Sequence, residues 1–221
     1  MNNQSKLIIS CQAPVNSPLH NPQVIGAMAT AAIQGGAAGV RIDTPAHVKA
    51  VREILPNTLI IGLWKRQIEG YEVYITPRAE EAEAIALAGA DIIAIDATSR
   101  KRPGGETVES IIAKIKQRGK KVMADVDSIE NAIAATKAGA DIVGTTLYGY
   151  TEETKQLTPP GYSLLQEMKE KLDIRVICEG GIATTKQAQK ALKLGADAIV
   201  IGKAITGIDA KIQEFQAVFN L

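Results

Sequence analysis

The sequence is poor in cysteine and histidine, and neither residue occurs in a metal-binding spacing. Its two cysteines, Cys11 and Cys178, lie in separate apolar runs and do not make a disulfide framework. We therefore expect two buried, reduced thiols. The two histidines, His20 in a loop and His47 in a helical stretch, are expected at the surface. Since no HxxEH, CxxC or paired-carboxylate metal spacing occurs, neither a metal nor another cofactor is expected.

Long apolar runs and an excess of one charge are also absent. No apolar run approaches the ~20 residues of a membrane span, and the first ten residues lack the layout of a signal peptide. With 25 basic and 24 acidic residues the formal net charge is +1, which indicates neither a nucleic-acid partner nor a membrane surface. The one basic cluster, residues 100–102 (RKR), is expected to be solvated on a loop. A cytoplasmic protein is the default expectation.

A short motif recurs four times along the chain and divides it into similar quarters. Each copy follows an alanine-rich helical stretch, and its first glycine suits the end of that helix. The β-branched run that follows suits a buried strand. The copies are GAAGVRID (36–43), GADIIAID (89–96), GADIVGTT (139–146) and GADAIVIG (195–202), and further strand candidates lie between them at 6–12, 58–65, 120–126 and 174–180.

Eight apolar strands that alternate with helical patterns predict an α/β fold with a parallel sheet. Eight units in a chain of this length fit a single-domain (β/α)8 TIM barrel over residues 1–221. A doubly wound open sheet is the alternative, but eight regular units close more naturally than they remain open. No linker or low-complexity tract suggests a second domain.

Polar residues follow almost every predicted strand, at the end of the barrel where active sites lie. Lys65 ends the third predicted strand and Glu179 ends the seventh, on opposite sides of an eight-strand ring. Two opposed proton-transfer groups suit inversion of a stereocentre. Desolvation and a nearby cation, Arg41 or Arg66, would lower the pKa of Lys65 and make it a usable base. A lysine that snorkels from the rim is the alternative. The remaining strand ends carry Gln12, Arg41 with Asp43, Asp96, Asp125 with Asp127, Thr145 with Thr146, and Gly202 with Lys203.

Two of these strand ends suggest ligand contacts, and two adjacent loops suggest a phosphate site. Arg41 suits a clamp for an anionic or hydroxylated ligand, and Asp125 suits a carboxylate that orients Lys65, holds sugar hydroxyls or stands at the rim. The loops EGGIAT (179–184) and IGKAIT (201–206) follow the last two strands, where many barrels bind phosphate. Their glycines could also serve only as tight turns. The predicted phosphate-binding residues, acting mainly through backbone N–H groups, are Gly180, Gly181, Gly202 and Lys203.

Across essentially its whole length the chain resembles the N-acylglucosamine-6-phosphate 2-epimerases. The segments that carry the resemblance are ISCQA, GVRI, IIGLWKR, YITP, AGADIIAIDATSRKRP, MADVDS, GADIVGTTLYGYT and ICEGGI with GADAIVIGKAIT. The family interconverts N-acetylmannosamine 6-phosphate and N-acetylglucosamine 6-phosphate without a cofactor, in the catabolism of sialic acid and amino sugars. The resemblance implies Lys65 as the proton-transferring residue and Glu179 as its catalytic partner, with ligand contacts from Gln12, Arg41 and Asp125.

One departure and several alternatives remain. Relatives often read AITRP near the end, with an arginine that helps to hold phosphate, whereas Gly207 stands in that place here. Phosphate binding would then depend on backbone amides or on Lys203. A Schiff-base aldolase that uses Lys65 and a non-catalytic phosphosugar-binding protein are the alternative functions. The apolar segment FQAVFNL (215–221) indicates either a homodimer contact or a last helix that docks on the barrel.

Overall fold

All eight predicted strands are present in the computed structural model, which describes residues 6–220. Each strand pairs in parallel with the next and the eighth pairs with the first, so the sheet closes. The predicted TIM barrel is thus confirmed and the open sheet is excluded, while residues 1–5 and 221 lie outside the described residues. The strands are β1 (Leu7–Cys11), β2 (Gly39–Asp43), β3 (Leu59–Leu63), β4 (Ile92–Asp96), β5 (Lys121–Asp125), β6 (Ile142–Gly144), β7 (Arg175–Glu179) and β8 (Ala198–Ile201).

Helices separate the strands and surround the barrel. Side-chain caps begin several of them, as where the Asn21 side chain accepts from the N–H of Gln23 at 2.9 Å. No helix among residues 6–220 is long and apolar enough to cross a membrane. The helices are α1 (Pro22–Gln34), α2 (Pro45–Ile54), α3 (Ala79–Leu87), α4 (Val108–Gln117), α5 (Ile129–Lys137), α6 (Tyr162–Lys171), α7 (Thr185–Lys193), α8 (Lys203–Thr206) and α9 (Ile208–Gln216), with 3-10 turns at Pro103–Gly105 and Ala217–Asn220.

The first glycine of each repeated motif ends the preceding helical segment in a left-handed conformation. The φ angles of Gly36, Gly89, Gly139 and Gly195 are +92°, +105°, +103° and +95°. Only glycine adopts these angles without strain between its Cβ and the backbone. The repeat in the sequence therefore marks four equivalent helix-to-strand turns.

Apolar side chains fill both the inside of the barrel and the layer beneath the helices. Successive strand residues point to opposite faces, so Ile61 and Leu63 of β3 pack inside while Ile60 packs towards the helices. Cys11 and Cys178 lie in the outer layer, fully buried and unpaired, which confirms the expectation for both thiols. Burial raises the pKa of Cys11 to about 12 and that of Cys178 to about 11.

The expectation of a surface position is wrong for His47, whereas His20 is partly exposed. His47 is 3% exposed because it lies on the inner face of α2 together with Val48 and Val51. Its Nδ1 lies 3.0 Å from the carbonyl oxygen of Asp43, and its ring packs edge to face on His20, which is half-buried. The helical spacing of His47, Val48 and Val51 is the signal in the sequence that indicates this burial.

The expectation of a solvated basic cluster at residues 100–102 is also wrong for two of its three members. Arg100 Nη2 donates to Asp96 Oδ2 at 2.6 Å, and Arg102, which is 5% exposed, donates to the carbonyl oxygen of Asp96. Only Lys101 is exposed. The two arginines therefore neutralise and hold a buried carboxylate at the end of β4.

We expect Gly62→Ala in β3 to lower the free energy of unfolding by about 1–3 kcal/mol, because it overpacks the outer core. A Cβ at Gly62 would lie 2.5 Å from Ile85 Cγ2 and 2.7 Å from the Ala90 Cβ. Urea unfolding measures the change, with Lys137→Ala on the exposed side of α5 as the control, expected within about 0.5 kcal/mol of wild type. A Gly62→Ala protein as stable as that control would contradict the packing.

Candidate active site

Three charged side chains meet inside the barrel near the C-terminal ends of the strands. Arg41 of β2 forms ion pairs with Asp125 of β5 through Nη2 and with Glu179 of β7 through Nη1. Thr146, just after β6, donates to Asp125 Oδ1 at 2.7 Å, and its hydroxyl lies 3.3 Å from Glu179 Oε2. Asp125 is fully buried and Arg41 is 2% exposed. The barrel thus brings three of the predicted site residues into one group.

The ion pairs make these buried charges tolerable. Burial opposes the charge of Arg41, but the carboxylates of Asp125 and Glu179 outweigh it and hold the pKa of Arg41 above its ordinary value. Burial raises the pKa of Asp125 in spite of the opposing guanidinium. Among the described residues, Arg41 Nε has no hydrogen-bond partner. A ligand next to Arg41 would therefore contact a guanidinium whose charge two carboxylates already partly neutralise.

Lys65 lies across the ring from Glu179 and is fixed at both ends. Its backbone N–H donates to Asp43 Oδ1 at 2.9 Å, and its Nζ donates to Gln12 Oε1 at 2.6 Å. The hydrogen bonds of Asp125 go to Arg41 and Thr146 instead. The side chain that orients the lysine is therefore Gln12.

A hairpin holds the backbone around the lysine. Residues 65 and 75 form an antiparallel bridge, and the N–H of Thr76 donates to the carbonyl of Trp64 at 2.8 Å. The Thr76 hydroxyl donates to the carbonyl of Ala94 at 2.7 Å, which ties the hairpin to β4. The exposed Arg66 lies 4.9 Å from the ring centroid of Trp64. Of the two cations that the sequence suggested as neighbours of Lys65, Arg41 is therefore the one that acts on it.

The surroundings of Lys65 favour its neutral form. The side chain is open to solvent at the mouth, yet it stands deep enough among protein atoms to lose much of its hydration. This desolvation lowers the pKa of Lys65 and Arg41 acts in the same direction, while the carboxylates of Asp43 and Glu179 oppose the shift. The neutral amine is the form that accepts a proton, so these surroundings are compatible with a base at this position.

Two glycine-bearing loops enclose a cavity of about 410 Å³ beside Glu179. Gly180 and Gly181 have φ angles of +98° and +71°, and a Cβ at Gly181 would lie 2.5 Å from Pro159 Cβ. Glycine is therefore required there both by backbone angle and by space. Gly202 lines the cavity from the loop after β8, and all four predicted phosphate-binding residues contribute to its walls.

Two lysines at the edge of this cavity share one glutamate. Lys203 Nζ lies 2.7 Å from Glu214 Oε1, and Lys211 Nζ lies 2.8 Å from Glu214 Oε2. A Cβ at Gly207 would lie 2.7 Å from the carbonyl oxygen of Lys203, so the backbone here leaves no space for a side chain. Positive charge at this edge therefore comes from Lys203 and Lys211. Lys211 was not predicted as a site residue, because the sequence of α9 carries no motif that places it beside the loops.

Three further residues on the cavity wall, Ser10, Tyr74 and Tyr150, were not selected from the sequence. Ser10 could have been found, since it lies two residues before Gln12 and strand residues two apart share a face. The tyrosines come from loops whose paths no periodicity predicts. Within residues 6–220, no group of three or more His, Cys, Asp or Glu side chains is placed to hold a metal ion.

Comparison with protein families and curated relatives agrees with the resemblance in the sequence. The family model described as "Putative N-acetylmannosamine-6-phosphate epimerase" matches residues 25–220. A relative from Synechococcus elongatus, named "Putative N-acetylmannosamine-6-phosphate 2-epimerase", is 58% identical over 219 residues. The match covers 98% of this chain and 94% of the relative. A relative with the same name from Thermosynechococcus vestitus is 56% identical over 212 residues, 96% of this chain and 92% of the relative.

Comparison with solved structures gives the same result. The structure of the N-acetylmannosamine-6-phosphate 2-epimerase from Clostridium perfringens superposes with a TM-score of 0.92 at 40% identity. The match covers 96% of this chain and 93% of that one. Fold and family therefore agree over nearly the whole length of both chains.

We expect Arg41→Leu to destabilise the protein more at neutral than at acid pH. The variant leaves Asp125 and Glu179 without their cation, a loss of about 3–5 kcal/mol in free energy of unfolding. The pKa of Asp125, already raised by burial, rises further in the variant. The folded variant then binds protons more readily than the unfolded chain, so the loss is largest above the folded-state pKa and shrinks as the pH falls. Urea unfolding at about pH 8 and pH 5.5 measures this dependence.

Lys116→Met is the matched control, because Lys116 Nζ lies 2.6 Å from Asp141 Oδ1 in a partly exposed pair. Such pairs contribute about 0–1 kcal/mol. A loss for Arg41→Leu as small as the control, or equal at both pH values, would show that the buried group is not held by its charges.

Proposed function

Because the chain belongs to the family of N-acetylmannosamine-6-phosphate epimerases, we propose that it interconverts N-acetylmannosamine 6-phosphate and N-acetylglucosamine 6-phosphate in amino-sugar and sialic acid catabolism. The reaction inverts C2 of the sugar, so the protein is an isomerase. The observation that carries the proposal is the placement of Lys65 and Glu179 on opposite sides of one barrel mouth, beside a glycine-walled cavity.

The proposed chemistry begins at C2 of the open-chain sugar, where the neighbouring C1 carbonyl activates the proton. Neutral Lys65 takes the C2 proton, the electrons of the C–H bond form a C1–C2 double bond, and the carbonyl oxygen becomes an enolate. Arg41 and nearby dipoles offset this negative charge. Glu179, in its protonated form, then donates its proton to C2 from the opposite face and becomes a carboxylate, and the carbonyl forms again. Proton exchange with water afterwards returns Lys65 to the neutral amine and Glu179 to the acid. No step requires a cofactor.

Binding is divided between the two ends of the site. The backbone N–H groups around Gly180, Gly181 and Gly202 are proposed to hold the phosphate, with Lys203 and Lys211 adding positive charge at the edge. At the other end, the proposed contacts to the sugar come from Gln12, Arg41 and Asp125. We also propose a cytoplasmic location, which two buried, unpaired cysteines support.

We expect Lys65→Ala to lower kcat for N-acetylmannosamine 6-phosphate by about 10³-fold, because it removes the base. Lys101→Ala, which changes an exposed loop lysine, is expected to keep wild-type activity. Product formation and deuterium entry at C2 from heavy water are measured together. A Lys65→Ala protein with near-normal turnover would exclude Lys65, and borohydride trapping of sugar on the wild-type lysine would indicate an aldolase instead.

Glu179→Gln tests how the proton returns, since the amide keeps the shape of the carboxyl group but has no acidic proton to deliver to C2. If Glu179 delivers the proton, the variant exchanges deuterium into the unreacted sugar while inversion stops. If Lys65 alone moves the proton, exchange and inversion fall together. The ratio of deuterium exchange to product formation distinguishes the two routes.

We further propose that the protein is a homodimer held by the apolar surface of α8, α9 and the 3-10 turn that follows. Phe215 is 73% exposed and Phe219 is 80% exposed, and with Ile205, Ile208 and Ile212 they line an open groove. The described residues therefore do not support the alternative in which this segment docks its apolar side on its own barrel. Leu221, the end of the segment, lies outside the described residues. Apolar patches of this kind mark protein interfaces.

We expect the double variant Ile212→Glu, Phe215→Glu to sediment as a monomer while the wild type sediments as a dimer, because charge would be buried in the interface. Leu87→Glu in α3 is the matched control, since Leu87 is 72% exposed but lies outside this groove. Analytical ultracentrifugation reads the masses. A monomeric wild type, or a double variant that remains dimeric, would contradict the interface.

A further inference from the structure

Ser10 lies where the cavity between the glycine loops meets the hydrogen bonds of Lys65. The side chain is 8% exposed and lines the cavity with Gly180, Gly181 and Gly202. It accepts a hydrogen bond from Gln12 Nε2 at 2.9 Å. The other end of that amide, Oε1, accepts from the lysine Nζ at 2.6 Å. One serine thus touches both the cavity and the residue that orients the base.

Space around Ser10 is set by the glycine after β8. A Cβ on Gly202 would lie 3.2 Å from Ser10 Cβ and 3.5 Å from its Oγ. The carbonyl of Ser10 accepts from the Thr206 hydroxyl at 2.6 Å, which fixes the backbone of β1 against α8. The structure gives the Ser10 hydroxyl hydrogen no acceptor among residues 6–220. That hydrogen is free to be donated to a group in the cavity.

The direction of these hydrogen bonds decides whether Lys65 can act as a base. When Gln12 turns Oε1 towards Lys65, the oxygen takes an N–H hydrogen and leaves the amine lone pair for the sugar. With the amide reversed, Nε2 would donate into the lone pair and block proton removal. A serine hydroxyl can donate or accept. The Ser10 hydroxyl is fixed as the acceptor of Gln12 Nε2 only when it donates its own hydrogen to another group.

We propose that Ser10 is a positioning residue that couples the phosphate of the substrate to Lys65. A phosphate oxygen can only accept, so it takes the Ser10 hydrogen and fixes Ser10 Oγ as the acceptor of Gln12 Nε2. Gln12 Oε1 then faces Lys65, and the amine lone pair faces C2. This inference rests on the proposed function and adds that the phosphate directs the base as well as anchoring the sugar.

A double-mutant cycle tests the coupling through the kcat of N-acetylmannosamine 6-phosphate epimerisation. We expect Ser10→Ala to lower kcat about tenfold, as loss of one orienting hydrogen bond would. In a Gln12→Ala background the same change is expected to lower kcat less than about twofold, because the residue through which Ser10 acts is absent. Equal losses in both backgrounds, or an unchanged kcat in Ser10→Ala, would overturn the proposal.

Thr206→Val is the control for a shift of the backbone at the strand ends. It removes the hydrogen bonds of the Thr206 hydroxyl to the carbonyls of Ser10 and Gly202 but leaves the side chains of Ser10, Gln12 and Lys65 in place. Its kcat is expected within about twofold of wild type by the same scale. A loss as large as that of Ser10→Ala would mean that backbone displacement explains both variants, and would overturn the proposal.

Calorimetric titration with inorganic phosphate tests the donor role of Ser10 without any turnover. Ser10→Ala is expected to weaken phosphate binding about fivefold to tenfold, and Gln12→Ala is expected to leave it nearly unchanged. Equal affinity of wild type and Ser10→Ala would overturn the relay whatever the enzyme's activity. A wild type that binds phosphate in this manner but does not epimerise the sugar phosphate would defeat the proposed function alone.

Discussion

The ion pairs of Arg41 with Asp125 and Glu179 are the interaction on which the site depends. Charges that leave water at the centre of a barrel are costly unless each has a partner, and Arg41 supplies that partner to both carboxylates. The closed sheet makes the arrangement possible, because inward-facing residues near the C-terminal ends of β2, β5 and β7 point at the same axis. An open sheet would spread these three strand ends along an edge.

The same closure separates the two chemical tasks. Lys65 stands across the ring from Glu179, so a ligand between them could be reached by both side chains. The loops after β7 and β8 are neighbours and line one cavity. The Thr145 hydroxyl accepts from the N–H of Glu179 at 3.1 Å and donates to its carbonyl at 2.8 Å, which fixes the end of β7. The proposed proton-transfer residue Glu179 and the proposed phosphate-binding residue Gly180 are therefore adjacent in sequence, yet they serve different parts of the site.

The sequence predicted those features that repeat or that end strands. The glycine of the repeated motif located all four helix-to-strand turns, and strand ends pointed to Lys65, Arg41 and Glu179. It did not predict what depends on contacts between distant segments. Three features can be predicted only when the path of the chain in space is known. They are the ion pair between Lys203 and Glu214, the burial of Arg102 against Asp96 and the exposed apolar face of α9. Loop residues such as Tyr150 follow no helical or strand periodicity, so the local sequence does not predict that they line the cavity.

Gly207, where the resemblance in the sequence implies an arginine, shifts the balance of forces in the proposed phosphate site. Lys203 is 62% exposed and already paired with Glu214, as is Lys211, so both charges are largely screened by water and salt. The glycine loops line a cavity partly closed to solvent, where a hydrogen bond from a backbone N–H to an anion is stronger than at the surface. In the proposed site, affinity for the phosphate then rests chiefly on the backbone, and Gly181 and Gly202 lie where added atoms would press on Pro159 and Ser10. A site built this way recognises the shape of the anion as much as its charge.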